Sequence, residues 1–371
     1  MSNTDKKGVT NPQQDPERYL TMLIKNALKL SVSDIHIKCA SPPFFRLHGD
    51  LHPLDTLNPL SFADIESLTH WFLNDRQQAE YDRDRQIDLS RGFSGIGRVR
   101  ANIFNQRGST SIVLRVIPTE LPDRESLNLP SVIDSLSELQ RGLVLVTGPT
   151  GSGKSTTLAT MIEIINRRDP KHIVTIEDPI EFLFTDQKSI ISQREVGPDT
   201  DSFNAAMRAA LRQDPDVIFI CELRDADTIT TAIKASDTGH LVLSTLHASG
   251  GLETVNRIMA NFPVAEQETM RMNLATNLKG VVSQRLLPTA DGKGRICAYE
   301  VLVGTRTVHD MIKDPSRTPE LESAIKDGAQ HGMISFDDCL FDLASRNVIS
   351  RETAMDYSSN PTDLGLKLEG F

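Results

Sequence analysis

The sequence is poor in cysteine, in tryptophan and in long hydrophobic runs. Its four cysteines are far apart and none forms a C-x-x-C pair, which argues against a zinc ribbon and against a disulfide framework. There is no stretch of 18 consecutive apolar residues, and the N-terminus has no apolar segment of signal-peptide length. We therefore expect a cytoplasmic protein with reduced cysteines and no direct membrane insertion.

The sequence also lacks an excess of positive charge. Its formal net charge is −10 and it has a single tryptophan, so a basic, aromatic-lined channel for nucleic acid is not expected. Any polyanion must be bound at a local site. The length of 371 residues and the hydrophobic content of 39% suit two domains, each with its own core.

Composition and periodicity divide the chain into five segments. Residues 1–16 are polar and predict a flexible tail, and residues 17–118 combine a helical pattern with alternating strands that suit an antiparallel sheet. The proline-rich stretch 119–135 is the expected linker. Strands alternate with helices in 136–357, which predicts a parallel sheet covered on both faces, with mainly helical patterns after about residue 252. Residues 358–371 read as a C-terminal tail.

The sequence GPTGSGKS, residues 148–155, satisfies the pattern of a phosphate-binding loop. It follows the strand GLVLVT and precedes a helix that begins near Lys154, which is the context that the pattern requires. Its glycines let backbone N–H groups point into one concavity, Lys154 can reach the β- and γ-phosphates, and Ser155 can ligate Mg²⁺. A coincidental glycine-rich turn is the alternative. The candidate nucleotide-binding residues are Gly148, Thr150, Gly151, Ser152, Gly153, Lys154, Ser155 and Thr156.

A carboxylate, Glu222, ends the apolar strand in DVIFICELRD. Ligands bind beyond the carboxyl ends of parallel strands, although Glu222 could also serve only to solvate a strand end. The preceding residue is Cys221, a poor ligand for Mg²⁺, and Asp216 begins the same strand and is too distant. Glu222 is therefore expected to serve the metal, through water.

Two more strand ends carry polar residues. In TIEDPIEF, Pro179 favours a turn that can fold Glu181 back over the strand end, with a charged surface loop as the alternative. His240 and His247 bracket the strand in TGHLVLSTLH, and lone histidines are more often structural than catalytic.

Taken together, GPTGSGKST, TIEDPIEF, DVIFICELRD and TGHLVLSTLH resemble the motifs of the secretion-type ATPases that drive type IV pili and type II secretion. The segments SDIHI, RANIFNQRG, QREVG and GMISFDDCLFDL are most similar to those of the pilus retraction motors. The resemblance covers essentially the whole chain after residue 17. It implies an α/β fold with an N-terminal PAS-like domain and a RecA-like P-loop ATPase domain, assembled as a hexameric ring.

The resemblance also implies an ATPase that uses ATP and Mg²⁺, and it implies roles for individual residues. Glu181 is the expected catalytic base, Glu222 supports the metal and the attacking water, and His247 senses the γ-phosphate. Arginines of the first domain reach the phosphates in that family, and the matching residues here are Arg98, Arg100 and Arg115.

Departures from the family pattern favour an accessory member of the retraction motors. Cys221 stands where the family usually has glycine, and TLHASGG replaces a TLHTN-type continuation. In TVHDMIKDP, His309 stands where the main motor has arginine. These features imply a partnership with a main retraction ATPase and with an inner-membrane pilus platform protein, at the base of the pilus machine. The alternatives are a main retraction motor, an assembly or secretion ATPase, which the absence of C-x-x-C disfavours, and a nucleic-acid-stimulated RecA-like motor.

Overall fold

The protein, described here by a computed structural model for residues 11–30, 32–47, 49–93, 96–117 and 121–370, divides into two compact units. The first unit comprises residues 1–120 together with 181–183, and the second comprises residues 121–180 and 184–371. The first ten residues of the expected flexible tail and residues 119 and 120 of the expected linker lie outside the described residues.

The first unit contains a six-stranded antiparallel sheet. The sheet residues are β1 Asp34–Lys38, β2 Phe44–Leu47, β3 Asp50–Pro53, β4 Gln86–Phe93, β5 Gly97–Gln106 and β6 Ser109–Ile117. The strands lie in the order β3-β2-β1-β6-β5-β4. The helices are α1 Pro16–Lys29, α2 Phe62–Phe72 and α3 Asp75–Asp84. They share one apolar core with one face of the sheet, which leaves the other face for polar side chains.

Local sequence signals account for these elements. Asp15 accepts a hydrogen bond from the backbone N–H of Arg18 and Pro16 occupies the first turn, so α1 begins three residues before its apolar pattern does. Ile35 and Ile37 of β1 are buried in the core. Because side chains alternate along a strand, Asp34 and His36 belong to the opposite, polar face.

The second unit is built on a seven-stranded sheet. Its strands are β7 Gly142–Thr147, β8 His172–Glu177, β9 Ile190–Glu195, β10 Val217–Ile220, β11 Leu241–Leu246, β12 Leu278–Pro288 and β13 Arg295–Val303. They lie in the order β13-β12-β7-β11-β10-β8-β9, and only the pairing of β12 with β13 is antiparallel. Apolar clusters on both faces bury the central strands, as strand–helix alternation predicts.

The helices of the second unit flank this sheet. They are α4 Val132–Ser137, α5 Lys154–Arg168, α6 Phe203–Ala210, α7 Ala226–Asp237, α8 Gly251–Ala260, α9 Val264–Asn277, α10 Arg306–Lys313, α11 Leu321–Asp327, α12 Phe336–Ser345, α13 Arg351–Tyr357 and α14 Pro361–Glu369. Short 3₁₀ segments, Thr318–Glu320 and Ala329–His331, flank α11. None of the helices among the described residues combines the length and apolar character needed to cross a bilayer.

The segment after residue 252 is mainly helical, as expected, but it also contains the two longest strands of this unit, β12 and β13, which the sequence patterns did not predict. β12 pairs with β7 in parallel over most of its first half, and its residues 280–288 pair with β13. Six of its first eight residues are buried, so it lacks the polar alternation that identifies a half-exposed strand. Its sequence, LKGVVSQRLLP, mixes apolar and polar residues without a period of two and therefore does not identify a strand.

The C-terminal segment is also different from the extended tail that its alternating leucines suggest. Residues 361–369 form α14, which Asn360 caps and which has Pro361 in its first turn. Leu364 is only 2% exposed and belongs to a small apolar cluster with α12, α13 and β13. Ion pairs from Arg351 to Glu369 and from Lys367 to Asp338 also attach this helix. Asparagine followed by proline is a helix-start signal here, not a sign of a frayed end.

Segment 121–135, read as a linker, is packed on the second unit. Leu129 and Ile133 are buried in the cluster that contains β7 and α5. Arg124 donates to the Leu129 carbonyl oxygen at 2.9 Å and forms an ion pair with Asp134.

The four cysteines are free thiols. Cys297 and Cys339 are buried, and burial raises the pKa of Cys297 to about 12 and that of Cys339 to about 11. Burial likewise raises the pKa of Cys221 to about 12, whereas Cys39 is a partly exposed residue of the first unit.

Candidate nucleotide site

The carboxyl ends of four central strands lie at one edge of the second unit's sheet. Thr147 of β7 pairs with Leu246 of β11, and Ile220 of β10 lies between Ser244 of β11 and Ile176 of β8. The loops that follow these strands therefore leave the sheet side by side. This edge is where ligands bind in open parallel sheets.

The loop after β7 has the backbone of a phosphate cradle. Gly148, Gly151 and Gly153 have φ angles of 144°, 77° and 94°, in a region that residues with a Cβ rarely adopt. Lys154 and Ser155 are the first two residues of α5, so the loop leads directly into a helix N-terminus. Free N–H groups and the helix dipole make this geometry suitable for phosphate.

Lys154 is held against the loop by the loop's own backbone. Its Nζ donates hydrogen bonds to the carbonyl oxygens of Gly148 and Pro149, both at 3.0 Å, and its side chain is largely buried. An ammonium group in this position can exchange carbonyl partners for phosphate oxygens without a large movement of the backbone.

β12 supports the loop through two polar residues that the sequence analysis did not identify. The Ser283 and Thr147 hydroxyls are 2.7 Å apart, and the side-chain amide of Gln284 donates to the Thr157 hydroxyl at 2.8 Å. A Cβ on Gly148 would lie 2.4 Å from the carbonyl oxygen of Gln284. The signal in the sequence is the pair Ser-Gln, which interrupts the apolar run of β12 and is buried.

The close approach of Gly148 to β12 leads to a testable prediction. Gly148→Ala should lower the free energy of unfolding by about 2–4 kcal/mol and abolish nucleotide binding, because it adds a backbone clash to a strained φ. Thermal unfolding and titration with a fluorescent nucleotide would measure both effects. The matched control is Gly151→Ala, which meets no atom within 4 Å and should cost only about 1–2 kcal/mol. Equal destabilisation by the two substitutions would contradict the close-packing argument.

Glu222 lies just beyond β10 and is fixed by the neighbouring strands. The backbone N–H of Cys221 donates to Ile176 and that of Leu223 donates to Thr245, both at 3.0 Å, so the ladder continues on either side of Glu222. Its side chain is only 19% exposed. A rigid, half-desolvated carboxylate at this edge can orient water or support a metal ion.

Both carboxylate oxygens of Glu222 contact basic side chains. Arg224 Nε donates to Oε2 at 2.7 Å, and His247 Nε2 is 3.2 Å from Oε1. Arg224 also lies 3.8 Å from a carboxylate oxygen of Asp178 in the loop after β8. The structure therefore brings Glu222 and His247 together. It adds Arg224, two residues after Glu222, to which the sequence analysis gave no role.

The loop after β8 contains the remaining acidic candidates. Glu177 is buried and accepts hydrogen bonds from Thr175 at 2.6 Å and from Gln193 at 3.0 Å, which assigns it to the interior of the sheet. Glu181 is exposed and falls in the short stretch 181–183 that groups with the first unit. Its role as catalytic base stays a prediction.

The three candidate arginines lie on the polar face of the first unit's sheet. Arg100 of β5 is directly opposite Arg115 of β6, and Arg98 lies two residues before Arg100 on the same face. Arg115 Nε donates to Asp34 of β1 at 3.0 Å. Sequence alternation could indicate a shared face, but only the strand register shows that Arg100 and Arg115 are neighbours.

The residues of the second unit fit a Mg²⁺ ion that arrives with the nucleotide. Among the described residues there is no cluster of three or more His, Cys, Asp or Glu side chains that could hold a metal unaided. The Ser155 hydroxyl and the Glu222 carboxylate supply hard oxygen donors, and Mg²⁺ commonly takes one or two protein ligands together with phosphates and waters. Cys221, with its protonated thiol, does not suit such an ion.

The chain matches the protein family described as "Type II/IV secretion system protein" over residues 11–336. The type IV pilus retractation ATPase PilT of Pseudomonas aeruginosa is 39% identical over 342 residues, which span 92% of this chain and 98% of that protein. The type IV pilus ATPase PilU of the same bacterium is 38% identical over 347 residues, which span 94% of this chain and 90% of that protein.

Solved structures show the same similarity. The crystal structure of the pilus retraction motor PilT with bound ADP matches with a TM-score of 0.84 at 41% identity, and covers 93% of this chain and 98% of that chain. The ATPase DotB of Legionella pneumophila matches with a TM-score of 0.77 at 29% identity, and covers 95% and 96% of the two chains.

Proposed function

The chain belongs to the family of type II/IV secretion system proteins, and we propose that this pilus retraction ATPase serves as the accessory motor of a pair. The observation that carries the enzymatic part is the shared sheet edge, where the phosphate loop, Glu222 and His247 follow neighbouring strands. Nucleotide binding and hydrolysis need these parts within one site.

Different residues of the second unit have different roles in hydrolysis. Lys154 and the N–H groups of the loop hold the β- and γ-phosphates, and Ser155 and Glu222 hold Mg²⁺, directly or through water. When bound, Mg²⁺ neutralises charge that develops on the phosphates. Glu181 takes the proton of the attacking water, and His247, in contact with Glu222, reports whether a γ-phosphate is present.

Arginines of the first unit complete the site in the assembled protein. Arg98, Arg100 and Arg115 add positive charge at the phosphates to that of Lys154. We propose a homohexameric ring for this assembly. A guanidinium supplied in this way stabilises charge in the transition state of phosphoryl transfer.

The accessory role is supported by the chemistry of His309 in α10. Burial, together with the positive charge of Lys279, lowers the pKa of His309, so its imidazole is neutral at physiological pH. An arginine at this position would carry a permanent charge and five N–H donors. The helix that contains His309 thus lacks a charged contact that an arginine would make.

We propose that this protein acts with a main retraction ATPase and an inner-membrane pilus platform protein, on the cytoplasmic side of the inner membrane. The test of the accessory role is pilus retraction in cells that lack the main motor: this protein alone should give little or no retraction, while the purified protein hydrolyses ATP. Robust retraction without the main motor would contradict the accessory role.

The enzymatic part is tested separately with purified protein. ATP turnover should be measurable and should not change when single-stranded DNA is added, because a net charge of −10 and a single tryptophan do not predict a basic, aromatic-lined channel for nucleic acid. Strong stimulation by DNA would favour a nucleic-acid motor.

Deletion of residues 358–371 tests the partnership, since loss of α14 should weaken co-purification with the main motor. Leu366, which is 48% exposed, lies on the outer face of α14. Leu366→Ala therefore tests that face without unfolding the helix.

A further inference from the structure

A row of four charged residues crosses the polar face of the first unit's sheet. Arg46 of β2 is opposite Asp34 of β1, Asp34 is opposite Arg115 of β6, and Arg115 is opposite Arg100 of β5. We refer to Arg46, Asp34, Arg115 and Arg100 as the arginine row. It holds three guanidinium groups and one carboxylate, and therefore carries a net positive charge in a protein of net charge −10.

The placement of Arg115 beside Arg100 is unfavourable for the sheet itself. Like charges directly opposite each other on antiparallel strands are destabilising, by up to about 1 kcal/mol. Only one carboxylate, that of Asp34, lies in the row to offset them. An anion bound beside Arg100 and Arg115 would offset the repulsion between the two guanidinium groups.

Asp34 controls the orientation of Arg115. Its side chain is 10% exposed, its Oδ1 accepts from Arg115 Nε at 3.0 Å, and its Oδ2 accepts from the Ser33 hydroxyl at 2.8 Å. Because Nε is the nitrogen nearest the backbone, this bond fixes the base of the guanidinium and leaves both terminal nitrogens for another acceptor. The side chain of Arg115 is 66% exposed, so those nitrogens are accessible. A terminal fork held in this way suits a phosphate group.

Arg46 provides a contrast within the same row. A terminal nitrogen, Nη1, donates to the Gly49 carbonyl oxygen at 2.6 Å in the turn between β2 and β3. One of its two terminal nitrogens is therefore occupied by the protein's own backbone, so Arg46 does not present a complete terminal fork to an anion. Arg46 stabilises a turn, whereas Arg115 presents its donors outward.

We infer that Asp34 is a positioning residue that holds Arg115 in the orientation needed to bind the phosphates of ATP during hydrolysis. This inference rests on the proposed role of Arg115 at the phosphates. Asp34 touches neither ATP nor water in this arrangement. It acts by fixing Nε, so that the flexible arginine side chain loses less conformational freedom when it engages the transition state.

The test is a double-mutant cycle measured on the full-length assembled protein. Asp34→Asn should lower kcat about tenfold, because it replaces the carboxylate partner of the Arg115 ion pair with a neutral amide oxygen, and should leave the affinity for a fluorescent ATP analogue within about twofold. Arg115→Gln should lower kcat about a hundredfold or more. The double variant should be no slower than Arg115→Gln alone, because Asp34 has no effect once Arg115 is absent.

Two controls on the same sheet separate positioning from general stability. Asp88, an exposed acid that accepts from Asn102 at 3.1 Å on the polar face, should tolerate Asp88→Asn without loss of kcat. Arg46→Gln should lower the unfolding temperature and leave kcat nearly unchanged. If Asp34→Asn fails to fold, Asp34→Glu keeps the charge, displaces the carboxylate by one methylene, and should still lower kcat severalfold with unchanged nucleotide affinity.

The outcomes distinguish this inference from the proposed function. Unchanged kcat in Arg115→Gln would overturn the role of the arginine itself. Loss of kcat in Arg115→Gln together with wild-type kcat in Asp34→Asn and Asp34→Glu would overturn the positioning role alone. A double variant with the product of the two single losses would also overturn it, because independent effects multiply.

Discussion

Lys154→Ala should abolish ATP turnover and weaken nucleotide binding at least a hundredfold. Lys154 is the first residue of α5, and its Nζ already lies 3.0 Å from two carbonyl oxygens of the phosphate loop. The loop from Gly148 to Ser155 contains no other cationic side chain. Loss of the ammonium group leaves charge on the β- and γ-phosphates without a partner close to the loop, and charge-assisted bonds of this kind are the strongest polar contacts in such sites.

The measurement is steady-state ATP hydrolysis together with equilibrium binding of a fluorescent nucleotide. Lys188→Ala is a suitable control, because Lys188 lies in the same unit, is exposed, and its Nζ donates to the Arg168 carbonyl oxygen, at a distance of 3.2 Å. It should behave as the unmodified protein does. Normal turnover in Lys154→Ala would show that the loop is not the nucleotide site, and the proposed assignment of the whole sheet edge would then fail.

Glu222→Gln should bind ATP normally and hydrolyse it at least a hundredfold more slowly. Glutamine keeps the shape of the side chain and can still accept from Arg224 through its carbonyl oxygen, so the site should keep its structure. Glutamine lacks the negative charge with which Glu222 supports the metal ion and orients the attacking water. Glu320→Gln, which removes only an exposed ion pair with Arg317, is the matched control and should have no effect on turnover.

Glu181→Gln should give the same separation of binding from hydrolysis if Glu181 is the catalytic base. Hydrolysis should fall by a factor of about 10²–10⁴, which is the range expected for loss of general-base catalysis. Single-turnover kinetics with pre-bound ATP would measure the chemical step directly. A wild-type rate in Glu181→Gln, with a slow rate in Glu222→Gln, would assign the water-activating role to Glu222.

The part of the fold from β7 to β11 could be predicted well from the sequence. There, short apolar runs end in polar residues and alternate with amphipathic helices, so the strands and their functional ends are both visible. The phosphate loop is visible for the same reason, because its glycines and Lys154 are consecutive in the chain. The two candidate catalytic groups Glu222 and His247 were also identified as strand-end residues, and their proximity follows from parallel pairing.

Features that depend on strand register or on burial from both faces were not visible. β12 has no alternation because both of its faces are covered, and α14 lies in the segment predicted as a C-terminal tail, where its packing on α12 and α13 depends on the fold. Gln284 supports the phosphate loop through a contact with Thr157, 127 positions away, which local sequence does not encode. The pairing of Asp34 with Arg115 joins residues 81 positions apart, so only the register of β1 with β6 reveals it.

The high thiol pKa values of the second unit have a practical consequence for single-molecule work on this motor. Alkylating dyes react with thiolate, and a thiol with a pKa of about 12 has roughly one molecule in ten thousand or fewer in that form near neutral pH. Cys221, Cys297 and Cys339 should therefore stay unlabelled under mild conditions. Replacing Cys39 alone would therefore give a protein without a readily labelled thiol. One new cysteine could then be added to each of the two units for dye labelling. Energy transfer between the two dyes would follow the motor through its cycle, while Cys221, next to Glu222, stays unchanged.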